Sequence, residues 1–251
     1  MPGDTVLETE DLTKDFAGFV AVRAVNLRVQ RGAIHAMIGP NGAGKTTCFN
    51  LLSKFLSPTH GRIVFEGRDI TSLRPAEVAR LGLVRSFQIS AVFPHLTVRE
   101  NVRIALQRRR GGSFDFWRSK RALRALDDRV NALLVDVDLT AHANRLAVEL
   151  PYGRKRALEI ATTIALDPKM LLLDEPTSGM SREDIDRISA LIRSLAVDRT
   201  VLMVEHNLSV VADLCDRITV LSRGEILAEG DYKTVSADPA VREAYLGTGH
   251  A

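Results

Sequence analysis

The sequence predicts an α/β fold: a parallel sheet covered by helices, with an antiparallel β subdomain ahead of it and a helical subdomain inserted. Three observations support this. Gly39-Pro40-Asn41-Gly42-Ala43-Gly44-Lys45-Thr46 lies between an apolar strand pattern and a helical one. Far downstream, the apolar run Met170-Leu171-Leu172-Leu173 ends in Asp174-Glu175. Beyond that run, helix and strand patterns alternate, as they do where helices cover a parallel sheet.

In chain order, Val6 to Leu12 and Ala24 to Val29 alternate as half-buried strands, broken at Ala17-Gly18 and Arg31-Gly32. Ala33 to Ile38 is an apolar strand. A helix is expected from Thr46 to Leu56, with Phe49, Leu52, Phe55 and Leu56 on one face. Pro58 to Gly61 is a turn, and Arg62 to Glu66 returns as a strand. From Thr97 to Arg145 the character changes: Leu123, Leu126, Val130, Leu133, Leu134 and Val137 fall at helical spacing. Helices are then expected at Ala157 to Leu166, Arg182 to Leu195 and Leu208 to Cys215. The strands between and after them are Met170 to Leu173, Thr200 to Val204 and Arg217 to Leu221.

A chain of 251 residues, 45% hydrophobic and 26% charged, is long enough for one large core. The 34 Lys and Arg nearly balance 31 Asp and Glu, so a net charge of +3 gives little attraction to nucleic acid. Arg108-Arg109-Arg110 and the basic run Arg118 to Arg124 read as a solvated helix face, and Phe114, Phe116 and Trp117 interleave too sparsely to stack bases. Cys48 and Cys215 are isolated and read as small buried apolar residues. No stretch of about 18 uncharged apolar residues occurs, so no spanning segment and no secretion signal are expected.

The chemistry begins with the glycine-rich loop. Its backbone N–H groups turn inward around phosphate oxygens, and the helix start adds partial positive charge. Lys45 then reaches the β and γ phosphates, and Thr46, followed by Thr47, offers hydroxyls at the helix start, the first of them to Mg²⁺. Taken alone, the loop specifies phosphate binding and no particular reaction. The second run delivers two carboxylates to a strand's C-terminal edge, where α/β sheets place ligands. Asp174 is the expected metal-side carboxylate, and Glu175 the general base for an attacking water.

With Leu150-Pro151-Tyr152-Gly153-Arg154 just upstream of Asp174-Glu175-Pro176-Thr177, the chain resembles the ABC ATPases. The segment stands where that family carries its Leu-Ser-Gly-Gly-Gln signature, but only Leu150 and Gly153 match. The variant, followed by Leu158-Glu159-Ile160-Ala161, resembles the branch serving high-affinity branched-chain amino acid importers, as does Arg223 to Gly247. The resemblance covers residues 6 to 247. It implies a RecA-like P-loop core (6–86 and 157–230), a helical subdomain (87–156) and a C-terminal tail (231–251). It also implies that Gln88, in Arg85-Ser86-Phe87-Gln88, bridges Mg²⁺ and the helical lobe, that His206 touches the γ-phosphate, and that Phe16 stacks on adenine. Phe19 lies close enough to compete for that last role. In Ser178-Gly179-Met180-Ser181, the loop that crosses to a partner, the usual acidic fourth residue is absent.

The implied cofactors are ATP and Mg²⁺. One copy of each motif cannot close a site, so the signature is expected to act in trans, in a heterodimer with a second ABC ATPase subunit or alternatively a homodimer. Two transmembrane permeases, an indirectly coupled solute-binding protein and a peripheral position on the cytoplasmic face of the cell membrane follow from the same resemblance. The rival readings are an ATPase for lipid or lipopolysaccharide export and a soluble ABC ATPase outside transport. Gly153→Asp is expected to block pairing without touching the chain's own ATP site.

Overall fold

The computed structural model describes residues 4–86, 92–109 and 120–246. In chain order the elements are β1 (Thr5–Phe16), β2 (Phe19–Val25), β3 (Arg28–Gln30), β4 (Ile34–Ile38), α1 (Lys45–Leu52), β5 (His60–Phe65), β6 (Arg68–Asp69), α2 (Pro75–Leu81) and β7 (Leu83–Ser86). Then come α3 (Val98–Arg109), α4 (Lys120–Asp136), α5 (Tyr152–Ile164), β8 (Met170–Asp174), α6 (Arg182–Leu195), β9 (Thr200–Val204) and α7 (Leu208–Leu214). β10 (Arg217–Ser222), β11 (Glu225–Gly230), α8 (Tyr232–Ala237) and α9 (Pro239–Leu246) complete the described residues. Two compact units result. One comprises Met1–Arg85, Lys169–Ser178 and Ile192–Ala251, and the other Ser86–Pro168 and Gly179–Leu191, so α5 belongs with the helices.

The first unit holds both expected sheets. In the antiparallel one, β2-β1-β5-β6 are neighbours and β3 also pairs with β1. The strand expected from Ala24 to Val29 is split in two. Ala24 adopts a positive φ of 44°, and the chain steps out at Asn26. There the Asn26 amide donates to Asp11 Oδ1 at 3.0 Å while its Oδ1 accepts the Asp11 N–H at 2.8 Å. That exchange satisfies backbone groups a continuous ladder would have used, and β1 pairs with β2 on one side of the step and β3 on the other.

The second sheet has the order β11-β10-β4-β9-β8-β7. β10, β4, β9 and β8 run parallel. Every residue of β4, β8 and β9 is buried, which is why these strands read as apolar runs without alternation. α1 is shorter than expected: Lys54 takes a left-handed φ of 63° just after Leu52. Phe55 is therefore exposed instead of continuing the face of Phe49 and Leu52. Burial pushes the Cys48 and Cys215 thiols up to about 12, so neither supplies a thiolate near neutral pH.

One polar residue sits inside β4. His35 is fully buried; its Nε2 shares a 2.7 Å hydrogen bond with Thr219 Oγ1, and burial, aided by Arg217, lowers its pKa from 6.5 to about 3. The folded state thus binds fewer protons than the unfolded chain between those two values. Stability is insensitive to this group above pH 6.5 and falls below it, by up to about 1.4 kcal/mol per pH unit. Urea unfolding at pH 7.5 and pH 5 should show His35→Gln losing about 2 kcal/mol less than the parent. Equal losses would remove His35 as the cause.

In the second unit α3 begins with a capping box. The Thr97 hydroxyl accepts the Glu100 N–H at 3.2 Å, and the Glu100 carboxylate accepts the Thr97 N–H at 2.7 Å. The buried Asn101 side chain accepts the Phe93 N–H and donates to the Leu96 and Thr97 carbonyls, holding the entry to α3.

Candidate functional site

The glycine-rich loop leaves β4 at Gly39 and enters α1 at Lys45. Two of its glycines are sterically required: a Cβ on Gly39 (φ 148°) would lie 2.1 Å from the Leu221 carbonyl oxygen, and one on Gly44 (φ 99°) 2.5 Å from that of Ala21. The Gly224 N–H donates to the Ala43 carbonyl at 3.0 Å, tying the loop to the β10–β11 turn. The Ala43 N–H reaches the Pro40 carbonyl at 3.2 Å, which curls Asn41 and Gly42 outward into exposure. The helix ladder at this end starts with the Cys48 N–H donating to the Gly44 carbonyl at 2.8 Å, so the N–H groups of Lys45, Thr46 and Thr47 are free of the ladder. Lys45 Nζ folds back onto the loop, donating to the Gly39 and Pro40 carbonyls at 2.6 and 3.0 Å. Burial draws its pKa below the ordinary lysine value, against the pull of nearby Glu175.

Strand order brings the second group to the same edge. β9 lies between β4 and β8, with Met37 in register with Val204 and Val204 with Asp174. The ends carrying the loop, His206 and Asp174-Glu175 are therefore consecutive. Asp174 is buried and accepts Arg85 Nη2 at 2.5 Å. The other arm of Arg85 donates to Asn50 Oδ1 at 2.6 Å, and its guanidinium lies over the Phe49 ring at 5.7 Å. Glu175 has a left-handed φ of 44°, costing on the order of 1 kcal/mol in a non-glycine residue, and is held there by its N–H donating to the Val204 carbonyl at 2.9 Å. His206 Nδ1 stands 3.9 Å from Glu175 Oε2.

Arg85 and Glu205 escaped the reading of the sequence. The signal available was a charged residue within or directly after an apolar strand, which must find a partner when buried. Nothing in the sequence says where that partner lies. Gln88 falls outside the described residues. Phe16 and Phe19 face each other as the pair closing the β1–β2 turn, 44% and 69% exposed, with Lys14 Nζ 5.2 Å from the Phe16 ring centre.

The segment Leu150 to Arg154 opens α5. Leu150 is buried, and Pro151 is the N-cap, where its carbonyl accepts the Lys155 N–H and its missing N–H costs nothing. Tyr152 is exposed on the first turn. Arg154 reaches back to the carbonyl and carboxylate of Asp138, and that hydrogen bond holds the Asp138 carboxyl below its ordinary range. Ser181, at the fourth position of its loop, caps α6: its hydroxyl accepts the Asp184 N–H at 3.3 Å and donates to Asp184 Oδ2 at 3.0 Å.

Gly153 rests directly on Asp184, whose Cγ would be 2.4 Å from an added Cβ. A carboxylate added in Gly153→Asp would therefore meet Asp184 of the same chain as well as any partner. Gly153→Ala should lower stability by about 1–3 kcal/mol through overpacking, and by less in an Asp184→Ala background. Equal costs in the two backgrounds, measured by urea unfolding, would show that Asp184 yields without penalty.

With this geometry in place, the chain can be compared with known proteins. Residues 22–178 match the family described as ABC transporter, and residues 225–251 match that described as branched-chain amino acid ATP-binding cassette transporter. The chain is 39% identical over 249 residues to the high-affinity branched-chain amino acid transport ATP-binding protein BraF of Pseudomonas aeruginosa, covering 96% of this chain and 98% of that one. It is 37% identical, with the same coverage, to LivG of Escherichia coli, which bears the same description. A crystal structure of the ADP conformation of an ATP-binding cassette of an ABC transporter superposes with a TM-score of 0.86 at 30% identity, covering 97% of this chain and 99% of that one. A nucleotide-free cassette gives 0.83 at 32%, covering 96% and 98%. Sheet order, phosphate loop and near full-length similarity agree: the chain belongs to the ABC transporter family, as one of its ATP-binding cassettes.

Proposed function

We propose that this chain binds and hydrolyses ATP as the cassette subunit of an importer for branched-chain amino acids or a related small organic solute. The observation that carries the hydrolytic reading is the meeting of phosphate loop, Asp174-Glu175 and His206 on the consecutive ends of β4, β9 and β8. The solute class rests on the similarity to BraF and LivG and on the match at residues 225–251.

The loop N–H groups from Gly39 to Gly44, together with those that open α1, take the phosphate oxygens. Lys45 exchanges the Gly39 and Pro40 carbonyls for the β and γ phosphates, and Phe16 stacks on the adenine. Among the described residues no group of three His, Cys, Asp or Glu side chains is placed to hold a metal ion by itself. Mg²⁺ takes most of its oxygens from phosphates and water. Thr46 and Asp174, with Gln88, are the residues that would hold it, and when bound it neutralises charge on the β and γ phosphates. Glu175 accepts a proton from water as the water oxygen attacks the γ-phosphorus and the bond to the ADP oxygen breaks, while His206 holds the γ-phosphate and water in line. The N–H groups at Tyr152, Gly153 and Arg154, which open α5, face the γ-phosphate of a partner cassette.

No helix among the described residues is long and apolar enough to cross a membrane. In this reading a second cassette and two permeases complete the assembly on the cytoplasmic face of the membrane. Proteoliposomes containing that assembly should take up labelled leucine only with ATP and a loaded binding protein. ATP turnover stimulated by lipid, and indifferent to the binding protein, would favour export instead.

A further inference from the structure

Glu205 directly follows β9, and it is 0% exposed. A carboxylate so placed needs strong hydrogen bonds or a cation. Among the described residues its only ion-pair neighbour is the His206 ring, at 3.9 Å. Its other partners are hydrogen-bond donors, divided between two loops. Oε1 accepts the Thr177 N–H at 3.1 Å and the Thr177 hydroxyl. Oε2 accepts the His206 N–H at 2.8 Å and the Asn207 N–H at 3.2 Å. One oxygen thus holds the loop after β8 and the other the loop after β9.

We propose that Glu205 is a positioning residue that fixes the spacing of Glu175 and His206, a role that rests on the hydrolytic reading above. Thr177 follows Glu175 by two residues, and His206 follows Glu205 directly, so the carboxylate joins the two reacting side chains through at most two residues of backbone on either side. Glu175 also carries a strained left-handed φ, which persists only where the surroundings over-determine it. The Thr177 contacts are part of that restraint.

The division of labour between the oxygens makes the amide a sharp probe. In Glu205→Gln, whichever end carries the NH₂ group presents donors to the donors of one loop, so that loop must move. A displacement of about 1 Å at a reacting group costs up to 10²-fold in rate. The phosphate loop lies on another strand end and does not depend on this carboxylate.

Paired with a second cassette under ATP-hydrolysing conditions, the full chain is compared as parent, Glu205→Gln, His206→Ala, Glu175→Gln and the double variant Glu205→Gln/His206→Ala. Glu205→Gln should lower kcat roughly 10- to 100-fold with KM and nucleotide affinity nearly unchanged. In the His206→Ala background it should cost far less, because the two act as a unit. Thr177→Val should lower kcat more modestly and Thr177→Ser restore it, which tests the same bridge in chains that keep Glu205 and its fold. Full additivity with His206→Ala, an equal loss of nucleotide affinity, or a Thr177→Val chain indistinguishable from the parent would overturn the role. Should Glu175→Gln and His206→Ala themselves turn over ATP at the parent rate, the hydrolytic reading falls first, and the positioning role with it.

Discussion

Glu175→Gln should reduce ATP turnover by roughly 10²-fold or more while ATP binding survives. The substitution keeps the side chain's length and one acceptor oxygen, and removes the negative charge and the capacity to take a proton. The phosphate loop and Lys45 bond within their own segment, so nucleotide affinity should hold. The left-handed backbone at position 175 is equally strained for both residues, so stability should not separate them. Turnover at the parent rate, alongside normal binding in a nucleotide titration, would take the role of base away from Glu175.

A second large effect concerns the buried partner of Asp174. Arg85→Met should destabilise the fold by about 3–5 kcal/mol, because it leaves the Asp174 carboxylate buried without its guanidinium. Arg85 and Asp174 side chains are 8% and 9% exposed, so water cannot take over the lost contact. For a chain of this size that corresponds to a fall in Tm of roughly 10 °C. Removing both charges, in Arg85→Met/Asp174→Leu, should recover most of the loss, since a well-packed apolar pair replaces a buried ion pair at little cost. A loss below about 1 kcal/mol for Arg85→Met, measured by urea unfolding, would show that solvent screens this pair despite its burial.

Legibility followed the range of the interactions concerned. A loop in which Gly39 and Gly44 admit no side chain, followed by Lys45 and a helix, is written in adjacent residues. So is the apolar run ending in Asp174-Glu175. Boundaries were less legible where a single residue leaves its expected region. Lys54 ends α1 four residues before Leu56, and Ala24, in concert with Asn26 and Asp11, splits a strand whose pattern of burial continues through the break.

The sequence by itself determined the parallel core, the phosphate loop and the pair of carboxylates, because each rests on local spacing or on a run of neighbouring residues, and its motifs carried the resemblance to the ABC ATPases. Only the tertiary structure placed Arg85 on Asp174, eighty-nine positions away, and Glu205 across two loops, twenty-eight positions from Thr177. It alone set Gly153 against Asp184. The reason is physical: a buried charge or a missing Cβ declares that it needs a particular neighbour, while strand order and register decide which neighbour arrives.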